Sequence, residues 1–180
     1  MSSAASVKDR LKNYAKNSKR IFQDVLTVYI LERVLFRISK SAYANSFTLK
    51  GGILLYGLYS DNFTRATTDI DLLGGNISND KEKLRSVFRQ ILSIETDDPI
   101  RFDIHTLEVV NITEFKKYHG VKVTTMAYLD RTRIPVVIDI GFGDIVYPGR
   151  ILMDYPTILE NEVPRSEEHT SELQSRQVIS

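Results

Sequence analysis

The chain contains no cysteine among its 180 residues. That excludes disulfide staples, thiolate catalysis and Cys-ligated zinc, and it fits a reducing compartment. No run of about 18 apolar residues is present, so nothing in the sequence reads as a membrane span. Met1-Ser2-Ser3-Ala4-Ala5 lacks the basic and apolar regions of a signal peptide, and the expected location is the cytoplasm. Internal repeats and a second domain are also missing. What remains is 42% hydrophobic and 26% charged, ordinary for a soluble protein and long enough for one domain with a core.

Net charge is nearly absent too, at +1, but this is a cancellation. Residues 1–50 hold ten Lys/Arg against three Asp/Glu, whereas 51–164 hold twelve against seventeen. Lys8, Arg10, Lys12, Lys16, Lys19 and Arg20 form a basic arm, which is either a phosphate-contacting surface for a polyanion or a solvated helical face.

Apolar positions at Ile21, Val25, Val28, Tyr29, Leu31, Val34, Leu35 and Ile38 recur near 3.6 residues and predict a long helix over 18–40, capped by Ser18 or Asn17. A shorter helix over 6–16 precedes it. Another is expected from Asn79 or Asp80 to about Ile94, and Asp97-Asp98-Pro99 reads as a turn. Strands are expected at about 100–109, 121–129 and 134–142, with Thr113 to Tyr118 as a short helix or loop and Asp130 to Arg133 as a hairpin connection. Helices, then mixed elements, then a β-rich segment predict an α+β domain with a mixed sheet preceded by N-terminal helices.

Chemistry concentrates at residues 49–72. Gly51-Gly52 falls between strand-like Phe47-Thr48-Leu49 and helix-like Ile53-Leu54-Leu55-Tyr56, where a phosphate can approach backbone N–H groups at a helix N-terminus. In Asp69-Ile70-Asp71-Leu72 the strand period of two puts both carboxylates on one face, half of a magnesium site. Asp139 interrupts the apolar run 134–142, expected to be buried on both faces; a carboxylate there calls for a metal or a cationic partner. Asp139 is therefore either a third metal ligand or a salt-bridged or strand-end carboxylate. His105 and His119 form no metal pattern and read as structural or surface residues.

Together these residues resemble the polymerase-beta-like nucleotidyltransferases, and more specifically the AbiEii/AbiGii toxin family. The matching blocks are Leu49-Lys50-Gly51-Gly52, Arg65-x-Thr67-x-Asp69-Ile70-Asp71-Leu72, Tyr118-His119-Gly120, Ile138-Asp139-Ile140-Gly141-Phe142-Gly143-Asp144 and Asp154-Tyr155-Pro156-Thr157-Ile158-Leu159. Two departures stand out. Sixteen residues separate Gly52 from Asp69, somewhat more than usual, and Ile53 occupies the place of the usual Ser or Thr after the glycines. The resemblance implies a polymerase-beta-like core and a two-metal magnesium site on Asp69, Asp71 and Asp139. It further implies a nucleoside triphosphate held by Gly51, Gly52, Lys50, Arg65 and Thr68, an RNA acceptor such as the tRNA 3′ end, and a cognate antitoxin. The rival readings are a small-molecule adenylyltransferase and a non-catalytic nucleotide- or partner-binding module.

The last sixteen residues stand apart. Arg165-Ser166-Glu167-Glu168-His169-Thr170-Ser171-Glu172-Leu173-Gln174-Ser175 resembles the translation of an indexed sequencing-library adapter, with Arg176-Gln177-Val178 in the place of the index. The expected organisation is one nucleotidyltransferase domain over 1–164, with helices over 1–45 and a catalytic core over 46–164 incomplete at its C-terminus, followed by a non-native tail at 165–180. The family continues with a helical segment carrying a lysine and a further aspartate, in blocks these residues do not contain, so the chain by itself is expected to be truncated and inactive.

Overall fold

The computed structural model of the chain describes residues 2–58, 66–114, 118–143, 151–159 and 175–179. Helix α1 spans Ala4–Ser18, its first turn closed by Ser3, whose hydroxyl accepts the Ser6 N–H at 3.2 Å. It ends because Lys19 adopts a left-handed φ of 56°, which lets the Arg20 N–H return to the Ala15 carbonyl at 2.9 Å. That closure moves the break between the two expected helices from about residue 17 to residues 19–21. Ser18 is the last residue of α1 rather than a cap, and α2 runs Phe22–Lys40 with no side-chain cap at Ile21.

Strand β1 (Phe47–Lys50) leads directly into α3 (Gly51–Leu58), then β2 (Ile70–Gly74) and α4 (Lys81–Leu92). Asp80 caps α4, accepting the Lys83 N–H at 2.9 Å, as its sequence predicts. The chain continues with β3 (Ile100–Glu114), β4 (Tyr118–Leu129), β5 (Thr132–Phe142), β6 (Ile151–Tyr155) and β7 (Ser175–Ile179).

Among the described residues, seven strands form one mixed sheet in the order β3-β4-β5-β2-β1-β7-β6. β2 pairs parallel with β5 and antiparallel with β1. The β3 to β5 meander is antiparallel. An α+β architecture with a mixed sheet is thus observed, with two corrections. β3 extends to Glu114 and β4 begins at Tyr118, so Thr113, Glu114 and Tyr118 belong to strands. The hairpin also turns on Asp130 and Arg131 alone, Asp130 taking a φ of 53°, because Thr132 and Arg133 already pair with Leu129 and Tyr128. β7 lies within the expected tail and fills the edge of β1 through Thr48↔Val178 and Leu49↔Ile179. Such an edge needs only main-chain hydrogen bonds, which almost any extended segment supplies.

The helices α2 and α4 cover one face of the sheet. Val25, Leu26, Ile30, Leu31, Val34, Leu35 and Ile38 of α2 are buried against Ile70, Leu72, Val121, Val123, Val136, Ile138 and Ile140. Each such side chain contributes roughly 1.5–3 kcal/mol on removal from water. β5 alternates, with Ile134, Val136, Ile138 and Ile140 buried and Pro135 exposed, while Val137 and Asp139 are half-buried. The expectation of burial on both faces is corrected accordingly. With helices on one side, alternate residues meet solvent, and Asp139 stands on the open face. Among the described residues no helix is long and apolar enough to cross a membrane.

Candidate active site

Register creates the site. The parallel pairing of β2 and β5 sets Asp71 beside Asp139, and the antiparallel neighbours set Lys50 beside Asp71 and Lys122 beside Asp139. One row across the open face therefore reads Lys122, Asp139, Asp71, Lys50. Asp69, in the extended segment just before β2, joins from the side. One carboxylate oxygen from each of Asp69, Asp71 and Asp139 lies within 4.8 Å of the others, and all three residues are half-buried.

Like charges this close, partly removed from water, disfavour ionisation. The Asp71 carboxyl is pushed above its ordinary 3.8, first by desolvation and then by Asp69 and Asp139, against the opposing pull of Lys50 and Lys122. A raised carboxyl pKa means that the fold favours the protonated form. The stability linked to Asp71 is fully present below 3.8 and is lost as pH rises through its folded pKa. At neutral pH the cluster is a repulsive load that a cation would relieve.

The residues fit such a cation. Three carboxylates are a hard, all-oxygen donor set, and magnesium–oxygen bonds of about 2.0–2.1 Å place opposite ligands roughly 4 Å apart, close to the observed spread. Asp139 Oδ1 is buried with no hydrogen-bond partner among the described residues, its neighbour being the Lys122 Nζ at 2.8 Å in an ion pair without hydrogen-bond alignment. A cleft of about 160 Å³ opens at this point between Lys50, Asp71, Ile112, Gly120, Asp139 and Gly141. A far larger cavity of about 1240 Å³ lies elsewhere, lined by α2 and residues 92–102, and shares no residue with the carboxylates. Chemistry, rather than volume, locates the site.

The glycines approach the cluster from β1. Gly51 opens α3 at a φ of +72°, and a Cβ there would run into the Asp71 carboxylate, 2.8 Å from its Cγ. Only glycine satisfies both constraints. At Gly52 the space is open, and the nearest atom to a Cβ there is the Thr67 Oγ1 at 4.0 Å. Thr67 is 5% exposed and its hydroxyl has no hydrogen-bond partner among the described residues. Tyr155 donates its hydroxyl to the Ile53 carbonyl at 2.8 Å, tying β6 to the first turn of α3. Burial pushes that phenol far above its ordinary value, with the carboxylate of Glu32 adding to the effect, and keeps it a donor.

The structure thus brings together Lys50, Gly51, Gly52, Asp69, Asp71 and Asp139. Thr68 is nearby but exposed, and Arg65 lies outside the described residues. His105 is exposed beside an irregularity in β3, and the His119 side chain also lies outside them. Within the basic arm, Lys8 donates to Thr132 at 2.8 Å and Arg20 to Tyr56 at 3.1 Å. Thr132 begins the strand that carries Asp139 seven residues later, about 23 Å along it. Sequence reasoning missed Lys122, and it placed Thr67 and Tyr155 in the matching blocks without giving either a role. A two-residue turn at Asp130–Arg131 would have paired Lys122 with Asp139 directly, whereas the contacts of the other two depend on tertiary packing.

A family model described as nucleotidyl transferase AbiEii toxin, type IV toxin–antitoxin system, matches residues 33–174. No curated protein matches. Among solved structures, JHP933 from Helicobacter pylori is 14% identical over 70% of this chain and 47% of its own, with a TM-score of 0.43. A second H. pylori structure, provisionally assigned as a nucleotidyltransferase, is 13% identical over 70% and 48%, with a TM-score of 0.44. The chain spans about half the length of these two structures.

Proposed function

The chain belongs to the AbiEii family of nucleotidyltransferase toxins, and from that premise we propose that it carries the metal and phosphate half of a site transferring a nucleoside monophosphate from a triphosphate to an acceptor hydroxyl. The observation that carries the proposal is the registered pair Asp71 and Asp139 with Asp69 beside them, their oxygens within 4.8 Å. Asp69, Asp71 and Asp139 would hold magnesium, as a two-metal site when nucleotide is present. Bound there, magnesium would neutralise phosphate charge and lower the pKa of the attacking hydroxyl.

The remaining roles fall to the chain itself. Backbone N–H groups at Gly51 and Gly52 would receive phosphate oxygens at the start of α3, where unpaired donors and the helix dipole favour an anion. Lys50, adjacent to Asp71 in the sheet, would offset charge on the triphosphate. Arg65 and Thr68 are assigned to the same phosphate region from their place before Asp69. Tyr155 would keep the first turn of α3 in place, so that the glycine amides meet the phosphates without rearrangement.

The acceptor proposed is RNA, with the tRNA 3′ end as the specific target, and a cognate antitoxin as the partner that restrains the activity. We assign 165–180 to a non-native tail and expect these 180 residues to be inactive without the further lysine and aspartate that the family supplies. The test is transfer of labelled nucleotide by a form carrying the family's C-terminal part, beside its Asp69→Ala variant. Label on RNA, lost in the variant, supports the proposal. Label on a small acceptor supports an antibiotic-type adenylyltransferase, and undiminished transfer by Asp69→Ala refutes the site.

A further inference from the structure

Lys122 has no place in the transfer scheme, yet its ammonium is ion-paired with one of the scheme's carboxylates. It lies opposite Asp139 across the β4–β5 ladder, with Nζ 2.8 Å from Oδ1. We infer that Lys122 is a tethered counter-cation, whose ammonium holds Asp139 in the metal-free protein and gives that carboxylate up when a divalent cation enters. The inference rests on the metal-site reading of Asp69, Asp71 and Asp139 and adds a competitor to it.

Three observations carry it. The ion pair engages the same oxygen, Asp139 Oδ1, that has no hydrogen-bond partner and would otherwise be offered to a metal. The pair is unequal, with the Lys122 side chain 38% exposed and that of Asp139 25%. An ammonium on a flexible stem can swing toward solvent while the carboxylate stays. Finally, the sheet places the ammonium beside three carboxylates that repel one another, so it lowers the cost of holding them together before any metal arrives.

Competition follows from distance. A metal bonded to Oδ1 at about 2.0–2.1 Å would sit within about 5 Å of an ammonium that remained in place. Repulsion between a double and a single positive charge at that range weakens binding on the order of tenfold, even at a water-like dielectric constant. The released ammonium has an obvious destination in the triphosphate, which brings the negative charge that a free metal ion lacks. Lys122 thereby biases the site toward a metal that arrives with nucleotide and against the free ion.

The experiment is a Mn²⁺ titration followed by electron paramagnetic resonance, on the 180-residue chain without nucleotide, comparing the unmodified protein with Lys122→Met and Lys122→Arg. Removal of the ammonium is expected to lower the Mn²⁺ dissociation constant on the order of tenfold, and arginine to leave it within about twofold. An unchanged or weaker affinity in Lys122→Met, beside measurable binding by the unmodified chain, overturns the counter-cation while leaving the metal site intact. Absence of Mn²⁺ binding in all three proteins overturns the metal-site reading itself, and the counter-cation with it. Should Lys122→Met fail to fold, Lys122→Gln makes the same comparison.

Discussion

Where α2 meets the start of β3, Arg37 and Asp98 form an ion pair whose side chains are each 4% exposed; along the strands, at the other end of the sheet, Asp69, Asp71 and Asp139 face one another half-buried. The first cluster is saturated. Arg37 donates to both Asp98 oxygens at 3.0 and 3.1 Å, to Thr96 at 2.8 Å and to the Ile94 carbonyl at 3.2 Å, while the Ile100 N–H completes Asp98 at 3.0 Å. The second cluster sets three carboxylates against one another with Lys122 ion-paired to Asp139, and one carboxylate oxygen and one neighbouring hydroxyl lack hydrogen-bond partners among the described residues. Around Arg37 and Asp98 buried charge is paired to completion, and a vacancy there would cost stability. The Arg33 and Arg85 Nε atoms are also buried without a hydrogen bond among the described residues, but only at the carboxylates does a vacancy coincide with like charges and a cleft, where a ligand can supply the missing partner.

The contrast can be broken first at its strong end. Arg37→Met leaves Asp98 buried without a cation and is expected to cost about 3–5 kcal/mol, read as a lower urea midpoint at unchanged slope. Mn²⁺ affinity measured well below that midpoint should not move, because no Arg37 contact reaches the carboxylates. At the other end, Asp71→Asn should reduce nucleotide transfer in the complete protein on the order of a thousandfold, equivalent to about 4 kcal/mol. It should also raise the melting temperature of the metal-free chain by roughly a few degrees, because it removes one of three repelling charges. A fall instead would mean that Asp71 is held by pairing, like Asp98, and would remove the distinction between the two clusters.

Gly51→Ala tests whether the incomplete cluster depends on close approach. The substitution imposes a left-handed φ on alanine and drives a methyl group into the Asp71 carboxylate. A cost of about 1–3 kcal/mol is expected, together with displacement of Asp71 and weaker Mn²⁺ binding. Gly75→Ala serves as the control, since a Cβ there meets nothing within 4 Å.

The incomplete cluster was legible where strand periodicity applied. Asp69 and Asp71 follow from a period of two, and the glycine pair from its place between strand and helix. Asp139 was found by its charge in an apolar run, although that run is buried on one face only. Lys122 escaped because a four-residue connection was assigned where the hairpin turns on two, and a register error of that size hides a cross-strand partner. The extension of β3 escaped because Thr113 and Glu114 were read with the connection that follows, while the irregularity between Asp103 and Glu108 fell inside the expected strand. The break between α1 and α2 was expected, but its position rests on a lysine in the left-handed region, for which no composition rule gives warning. The Arg37–Asp98 pair was invisible for a different reason, since it joins residues 61 apart in sequence and depends on tertiary packing alone.

The smallest effect is also the most discriminating, because its two halves have opposite signs. Thr67 is buried, its hydroxyl has no hydrogen-bond partner among the described residues and lies 4.0 Å from where a Cβ on Gly52 would stand, and Ile53, which follows the glycines in α3, has no polar group to offer a phosphate. Thr67→Val keeps the shape and removes the hydroxyl. An unsatisfied buried hydroxyl contributes nothing to the fold, so the valine variant should be as stable as the unmodified chain or more so by up to about 1 kcal/mol. If that hydroxyl donates to a phosphate, the same variant should bind a fluorescent nucleoside triphosphate roughly three- to tenfold more weakly, the range expected for one hydrogen bond of about 0.7–1.4 kcal/mol. Thr67→Ser should reverse the pattern, retaining nucleotide affinity while losing the stability contributed by a buried methyl group. Nucleotide affinity unchanged in Thr67→Val, with stability reduced, would assign Thr67 to the saturated and purely structural class that Arg37 and Asp98 define.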